Sequence, residues 1–229
     1  MTTSRLLYLL GGSTAYEAFA DEFVTASGGH DARIAVLAQT GEGWEKHKAE
    51  ITQPWTRRGV TQYEPIVSGE NGLLNLELAS AVLYRATGIF IGGGHTPTYH
   101  RLFATEPVRT IIRERYQDGI PVAGVSAGAL ISLEICQLTQ DETGSDKLQI
   151  VQGLGLAKGF VIGVHFTEWN ALSEVLEVMS KTRTMVGLGI DEPACAVCEN
   201  ENFTKVLGRS VHKIEMTDFE NMAYGITIS

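Results

Sequence analysis

Residues 124–128 read Gly-Val-Ser-Ala-Gly, with the serine hydroxyl set between the apolar run IPVAG and a helix expected from Ala127. In that context G-x-S-x-G describes a nucleophile elbow, a strained strand-to-helix turn that lifts the hydroxyl clear of the sheet so that a carbonyl can approach. The N–H of Ala127 then faces the positive end of the helix and offers one oxyanion donor. A second donor is expected from the loop Gly92-Gly93-Gly94-His95, through Gly93 or Gly94. Taken alone, the glycines of the elbow require no more than a tight connection in which Ser126 caps the helix.

A hydroxyl is a poor nucleophile until a base takes its proton, and a base of this kind is usually a histidine oriented by a carboxylate. Of the six histidines, His30 and His47 lie in polar loop or helix sequence, His100 follows the glycine loop on a helix, and His212 falls near the C-terminus. Each of these reads as an ordinary surface or helix residue. His165 differs, because it stands near the carboxyl end of the apolar run FVIGVHF. Three acids compete to orient it: Asp191 and Glu192, which end the run VGLGIDE, and Asp141, shortly after the nucleophile's helix. Neighbouring side chains of a strand point to opposite faces, so one of Asp191 and Glu192 reaches the histidine and the other does not.

Strand ends must bring these groups together. Short apolar runs alternate six times with segments of helical periodicity, from RLLYLL followed by 15–27 to GFVIGVHF followed by 168–181. Such alternation implies a parallel sheet covered by helices on both faces, with ligands at the carboxyl ends of the strands. After VGLGIDE the pattern changes to short strands joined by turns such as Glu201-Asn202, so the chain is expected to finish in antiparallel hairpins.

The 229 residues carry no composition shift that would mark a linker, and a single domain over 1–229 is expected. A net charge of -9 excludes polyanion binding of the usual kind, which needs clustered Lys and Arg, so no nucleic acid partner is expected. No stretch approaches the length of a membrane helix, and the start MTTSRLLYLLGGS has too short an apolar run for a leader. Three cysteines are too few for a disulfide framework, which points to a reducing cytoplasm. Cys195 and Cys198 form a lone C-x-x-C whose sulfurs point to opposite faces of a strand, so they read as buried thiols and no metal is expected. No cofactor is implied, and either a monomer or a homodimer fits the composition.

The motifs IFIGGGHTPTYHRLF, PVAGVSAGALI, GLGLAKGFVIGVHFTEWN and VGLGIDEPACAV, in that order over about residues 85–198, resemble the serine peptidases that include dipeptidase E and cyanophycinase. The resemblance implies an α/β sandwich of three layers with a mostly parallel sheet, similar to class I glutamine amidotransferases. It also implies hydrolysis of short peptides through an acyl-enzyme, with Ser126 as nucleophile and His165 as general base. Glu192 becomes the orienting acid because GIDE is similar to the acid motif of cyanophycinases, while Asp141 matches an aspartate given a charge-relay role in relatives of the dipeptidase E type. Gly93, Gly94 and Ala127 then supply the oxyanion donors. His95 replaces the Asn or Gln that many relatives carry after the three glycines, and is expected to alter substrate contacts.

Cyanophycinases follow the histidine with arginines suited to an acidic polymer, whereas this chain offers Glu168, Glu174 and Glu177 and no cation before Lys181. Cleavage of that polymer is therefore not expected. A strict aspartyl preference needs an arginine, for which Arg101, Arg183 or the segment 39–58 are the sources at hand. Two other readings share the elbow: an esterase of the α/β-hydrolase type, ordered Ser126, Asp141, His165, and a non-catalytic binding protein in which Ser126 is a cap.

Overall fold

The computed structural model describes residues 4–229; residues 1–3, part of the segment inspected for a leader and of the range 1–229, lie outside the described residues. The chain opens as β1 (Leu6–Leu10), α1 (Tyr16–Ala26), β2 (Arg33–Thr40), α2 (Gly41–Thr56), β3 (Gln62–Ser68), α3 (Leu76–Arg85) and β4 (Gly88–Ile91). It continues with α4 (Thr96–Phe103), α5 (Val108–Gln117), β5 (Val122–Val125), α6 (Ala127–Ser132), β6 (Ile135–Leu138), α7 (Gln140–Thr143) and β7 (Gln149–Gln152). The last third holds β8 (Val161–Val164), α8 (Leu172–Thr182), β9 (Val186–Ile190), β10 (Ala194–Glu199), β11 (Asn202–Gly208), β12 (Val211–Asp218) and β13 (Ala223–Ile228).

Seven strands form the central sheet in the order β11-β10-β1-β5-β4-β2-β3. The five from β1 to β3 are parallel, and β10 and β11 join antiparallel at one edge. One face packs on α1 and α2 through Phe19, Phe23, Trp44 and Trp55. The other face packs on α3 to α6, for instance through Val82, Phe103, Ile112 and Ile131. This is the expected α/β layering, and Cys195 and Cys198 point into the two opposite cores as alternation requires.

The six alternations do not all enter one sheet. Strand β10 takes the edge beside β1, so β8 and β9 pair with each other and with β12 and β13 in a second sheet, order β13-β12-β9-β8. Helix α8 covers one face of that sheet through Val175, Val178 and Met179. The stretch after the glycine loop folds as two helices, α4 and α5, because Pro107 has no N–H to continue the first one. The β10–β11 turn is Asn200-Glu201 rather than Glu201-Asn202; both residues have positive φ (49° and 67°), as the tight turn of a two-residue hairpin demands.

Pairing register aligns the strand ends that matter. Leu10 lies opposite Val125, and Ile91 opposite Gly124. The segments leaving β1, β4 and β5 therefore emerge side by side.

Candidate active site

Ser126 occupies the turn between β5 and α6 with φ 52° and ψ -116°, a conformation costly for a residue with a Cβ and a sign of strain held by its surroundings. Its N–H donates to the Leu10 carbonyl at 3.0 Å, and its own carbonyl accepts from Ala129 and Leu130 as the first bonds of the helix. Two glycines make the bend possible. A Cβ on Gly124 would sit 2.4 Å from the Gly128 oxygen, and one on Gly128 would sit 2.3 Å from the Ile91 oxygen.

His165 leaves β8 with φ 46°, a second strained residue at the same end of the molecule. Its Nε2 lies 2.9 Å from Ser126 Oγ, and its Nδ1 lies 2.8 Å from Glu192 Oε1. Glu192 follows β9, and its N–H donates to both carboxylate oxygens of Glu168 at 3.2 and 3.3 Å. Gly12 leaves the space that Glu192 fills, since a Cβ there would meet Glu192 Cγ at 2.8 Å. With Nδ1–H donating to the carboxylate, the Nε2 lone pair faces the hydroxyl and can accept its proton.

The other two acids go elsewhere. Asp191 points to the opposite side, where Oδ2 meets His212 Nε2 at 3.0 Å and Oδ1 accepts from the Thr167 N–H at 3.1 Å. Asp141 lies exposed on α7, and His165 Nδ1 is taken by Glu192. Of the two consecutive acids, Glu192 is the one whose carboxylate contacts His165.

Gly93 lies against the serine: a Cβ there would come within 3.3 Å of Ser126 Cβ. Among the described residues, no carbonyl accepts from the N–H groups of Gly93, Gly94 or Ala127. His95 is turned away; its Nδ1 meets Thr98 Oγ1 at 2.9 Å and its Nε2 the Glu142 carbonyl at 2.8 Å, pinning α4 to α7.

Trp169, in the run HFTEWN, is not legible from the sequence as a site residue. Its ring stacks on the His165 imidazole with centroids 3.9 Å apart and planes 18° apart, although it is 67% exposed. A large exposed aromatic four residues beyond the candidate base is the signal that marks it.

Ser126 lies where two cavities meet. The first, of about 670 Å³, is lined among others by Tyr16, Gln39, Trp44, Arg101 and His165. Of the arginines named from the sequence, Arg101 lines this cavity, whereas Arg183 lies over the Phe219 ring and Arg57 and Arg58 pair with Glu17 and Asp21. The second, of about 470 Å³, is lined by Asp141, Glu142, Trp169 and Glu174. Burial pushes the Glu174 carboxyl above its usual range; Glu142 and Glu177 add to this, and the Gln137 amide opposes it.

Burial pushes the thiols of Cys136 and Cys198 up to about 12, so at neutral pH they are not the thiolates that metal ligation or nucleophilic attack needs. All three cysteines are free and buried. Among the described residues, no helix is long and apolar enough to cross a membrane.

Known proteins similar to this chain are peptidases. The chain is 26% identical over 207 residues to the cyanophycinase of Synechococcus elongatus, an alignment covering 88% of this chain and 63% of the relative. It is 32% identical over 143 residues to the cyanophycinase of Trichormus variabilis, covering 60% of this chain and 48% of that one. The chain thus spans less than two thirds of the length of these relatives. The fold matches the crystal structure of a peptidase from an acI-B1 Actinobacterium with a TM-score of 0.69 at 21% identity, over 92% of this chain and 91% of that one. The model of peptidase family S51 matches residues 74–206, a span that contains Ser126, His165 and Glu192, and the chain therefore belongs to this family of serine peptidases.

Proposed function

We propose that the chain is a serine peptidase that hydrolyses short peptides through an acyl-enzyme on Ser126, with 1–229 working as one catalytic domain in the cytoplasm. The observation that carries this reading is the unbroken series from Ser126 Oγ through His165 to Glu192 Oε1, at 2.9 and 2.8 Å. His165 Nε2 takes the hydroxyl proton as Oγ attacks the carbonyl carbon. The N–H groups of Ala127 and of Gly93 or Gly94 stabilise the oxyanion. His165 then gives the proton to the leaving amine as the C–N bond breaks. Water enters, loses a proton to the same nitrogen, attacks the acyl carbon and releases Ser126.

Glu192 holds the imidazole in the required tautomer and offsets the charge it gains. Trp169 covers one face of the ring and restricts its tilt. The two cavities that meet at Ser126, of about 670 and 470 Å³, offer room for the residues on either side of one scissile bond. The segment after His165 offers Glu168, Glu174 and Glu177 and no cation before Lys181, which argues against the substrate named by the cyanophycinase relatives.

A fluorophosphonate probe tests the nucleophile directly. Mass-spectrometric mapping should find Ser126 modified in the folded protein and not in Ser126→Ala. Absence of labelling at every accessible pH leaves the reading of a non-catalytic binding protein. An esterase that relies on Asp141 predicts that Asp141→Asn abolishes labelling while Glu192→Gln preserves it, the reverse of what the Ser126–His165–Glu192 series requires.

A further inference from the structure

Three consecutive glycines, Gly92 to Gly94, lead from β4 toward Ser126, and glycine backbone fixes no conformation by itself. A backbone N–H stabilises a developing oxyanion well only when it is aimed before the reaction begins, because nothing then has to reorganise as charge builds up. Whatever aims the N–H groups of Gly93 and Gly94 must therefore lie outside the glycine run.

Hydrogen bonds on either side single out these two groups. The Gly92 N–H donates to the Leu37 carbonyl at 2.9 Å, where the pairing of β4 with β2 ends. The His95 N–H donates to Gln39 Oε1 at 3.0 Å, and Gln39 Nε2 donates back to the His95 carbonyl at 3.4 Å. The Gln39 amide thus takes the place of a backbone neighbour two residues past Leu37. Thr96, 3% exposed, is held from the other side, its N–H and hydroxyl donating to Glu142 Oε1 at 2.8 and 2.7 Å. Among the described residues, Gly93 and Gly94 are the two of these five whose N–H groups meet no acceptor.

Gly94 lets the amide come this close. Its φ is 148°, and a Cβ on it would sit 2.2 Å from Gln39 Oε1. On the serine side, a Cβ on Gly93 would come within 3.3 Å of Ser126 Cβ. The two free N–H groups are therefore held between the nucleophile and a clamp made by side chains of β2 and α7.

We propose that Gln39 is a positioning residue for the second oxyanion donor, with Glu142 as the brace on the opposite side of the loop. The inference rests on Ser126 being the nucleophile. Gln39 extends the β2–β4 ladder by one side chain, and so fixes the peptide planes that carry the Gly93 and Gly94 N–H groups. Gln39 also lines the larger cavity, so a direct contact with substrate is the rival role.

The test compares Gln39→Met, which keeps the length of the side chain and removes both hydrogen bonds, with the unaltered protein. Active sites are counted by fluorophosphonate labelling of Ser126, so that a misfolded fraction is not read as a slow enzyme. On a cleaved peptide, kcat should fall by roughly 10- to 100-fold with KM little changed, as for a donor that is misaimed but not removed. A peptide boronate that closes on Ser126 places a tetrahedral oxygen in the same position, and its affinity should fall by the same factor as kcat/KM. Glu142→Ala releases the other side of the loop and is the second variant if Gln39→Met does not fold; the same two quantities should fall together.

Unchanged kcat and boronate affinity overturn the positioning role and leave the nucleophile in place. So does a fall in kcat that the boronate does not share. A raised KM with kcat unchanged makes Gln39 a substrate contact and overturns it as well. Failed labelling of the unaltered protein overturns the reading of Ser126 and this inference with it.

Discussion

Two histidines of this chain pair with two consecutive carboxylates, and their surroundings differ in every other respect. His165 and Glu192 stand at the edge of a cavity, with a serine hydroxyl on the far nitrogen and the Trp169 ring stacked on the imidazole. His212 and Asp191 are each 13% exposed, with the Thr167 N–H on the carboxylate and the Phe166 ring 5.0 Å from the imidazole. An imidazole beside a carboxylate is therefore not enough to mark a reaction centre. One pair has a serine hydroxyl on its far nitrogen and a cavity beside it, while the other ties β12 to the end of β9 and to the turn that follows His165.

That contrast is open to direct attack. Ser126→Ala or His165→Ala should lower kcat/KM on a cleaved peptide by about 10⁶-fold, with circular dichroism unchanged. Glu192→Gln keeps the shape but donates a hydrogen bond where a carboxylate accepted one, and a loss of roughly 10⁴-fold is expected. Asp191→Asn should leave kcat/KM within a few-fold, so a loss as large as that of Glu192→Gln would erase the distinction between the pairs.

The second pair should instead register in stability. Asp191→Asn weakens a nearly buried contact to His212 and the Thr167 N–H, a cost of about 1–3 kcal/mol, and each kcal/mol lowers Tm by roughly 2–4 °C in a chain of this size. Glu192→Gln, more exposed, should shift Tm less. The smallest effect is expected for Trp169→Leu, which removes an aromatic face from the imidazolium formed during turnover. That interaction contributes about 0.5–1 kcal/mol at exposed sites, so kcat should fall by roughly two- to fivefold.

Much of the site is legible in the order of the residues. The strand-to-helix context of Gly124-Val125-Ser126-Ala127-Gly128 is local, because two glycines and an apolar run are enough to specify an elbow. His165 and the Asp191-Glu192 pair are legible as strand ends for the same reason. The division of β8 and β9 from the central sheet is not, because periodicity identifies a strand but carries nothing about its neighbour. The hairpin β6–β7 is also hidden, as its four-residue strands are too short to show alternation. His95, expected at the substrate, is committed instead to Thr98 and Glu142, a contact 47 residues away in sequence that no local pattern announces.

By itself the sequence determined the class of fold, the elbow around Ser126, the histidine that could serve it and the pair of acids from which one would be drawn. Those features follow from local periodicity, glycine placement and the alternation of side chains along a strand. The tertiary structure decided that Glu192 and not Asp191 meets His165, that Trp169 stacks on that ring, and that Gln137 shares an acidic cavity with Ser126. Each of these depends on the packing of one element against another, and an error of one residue in register would reverse it.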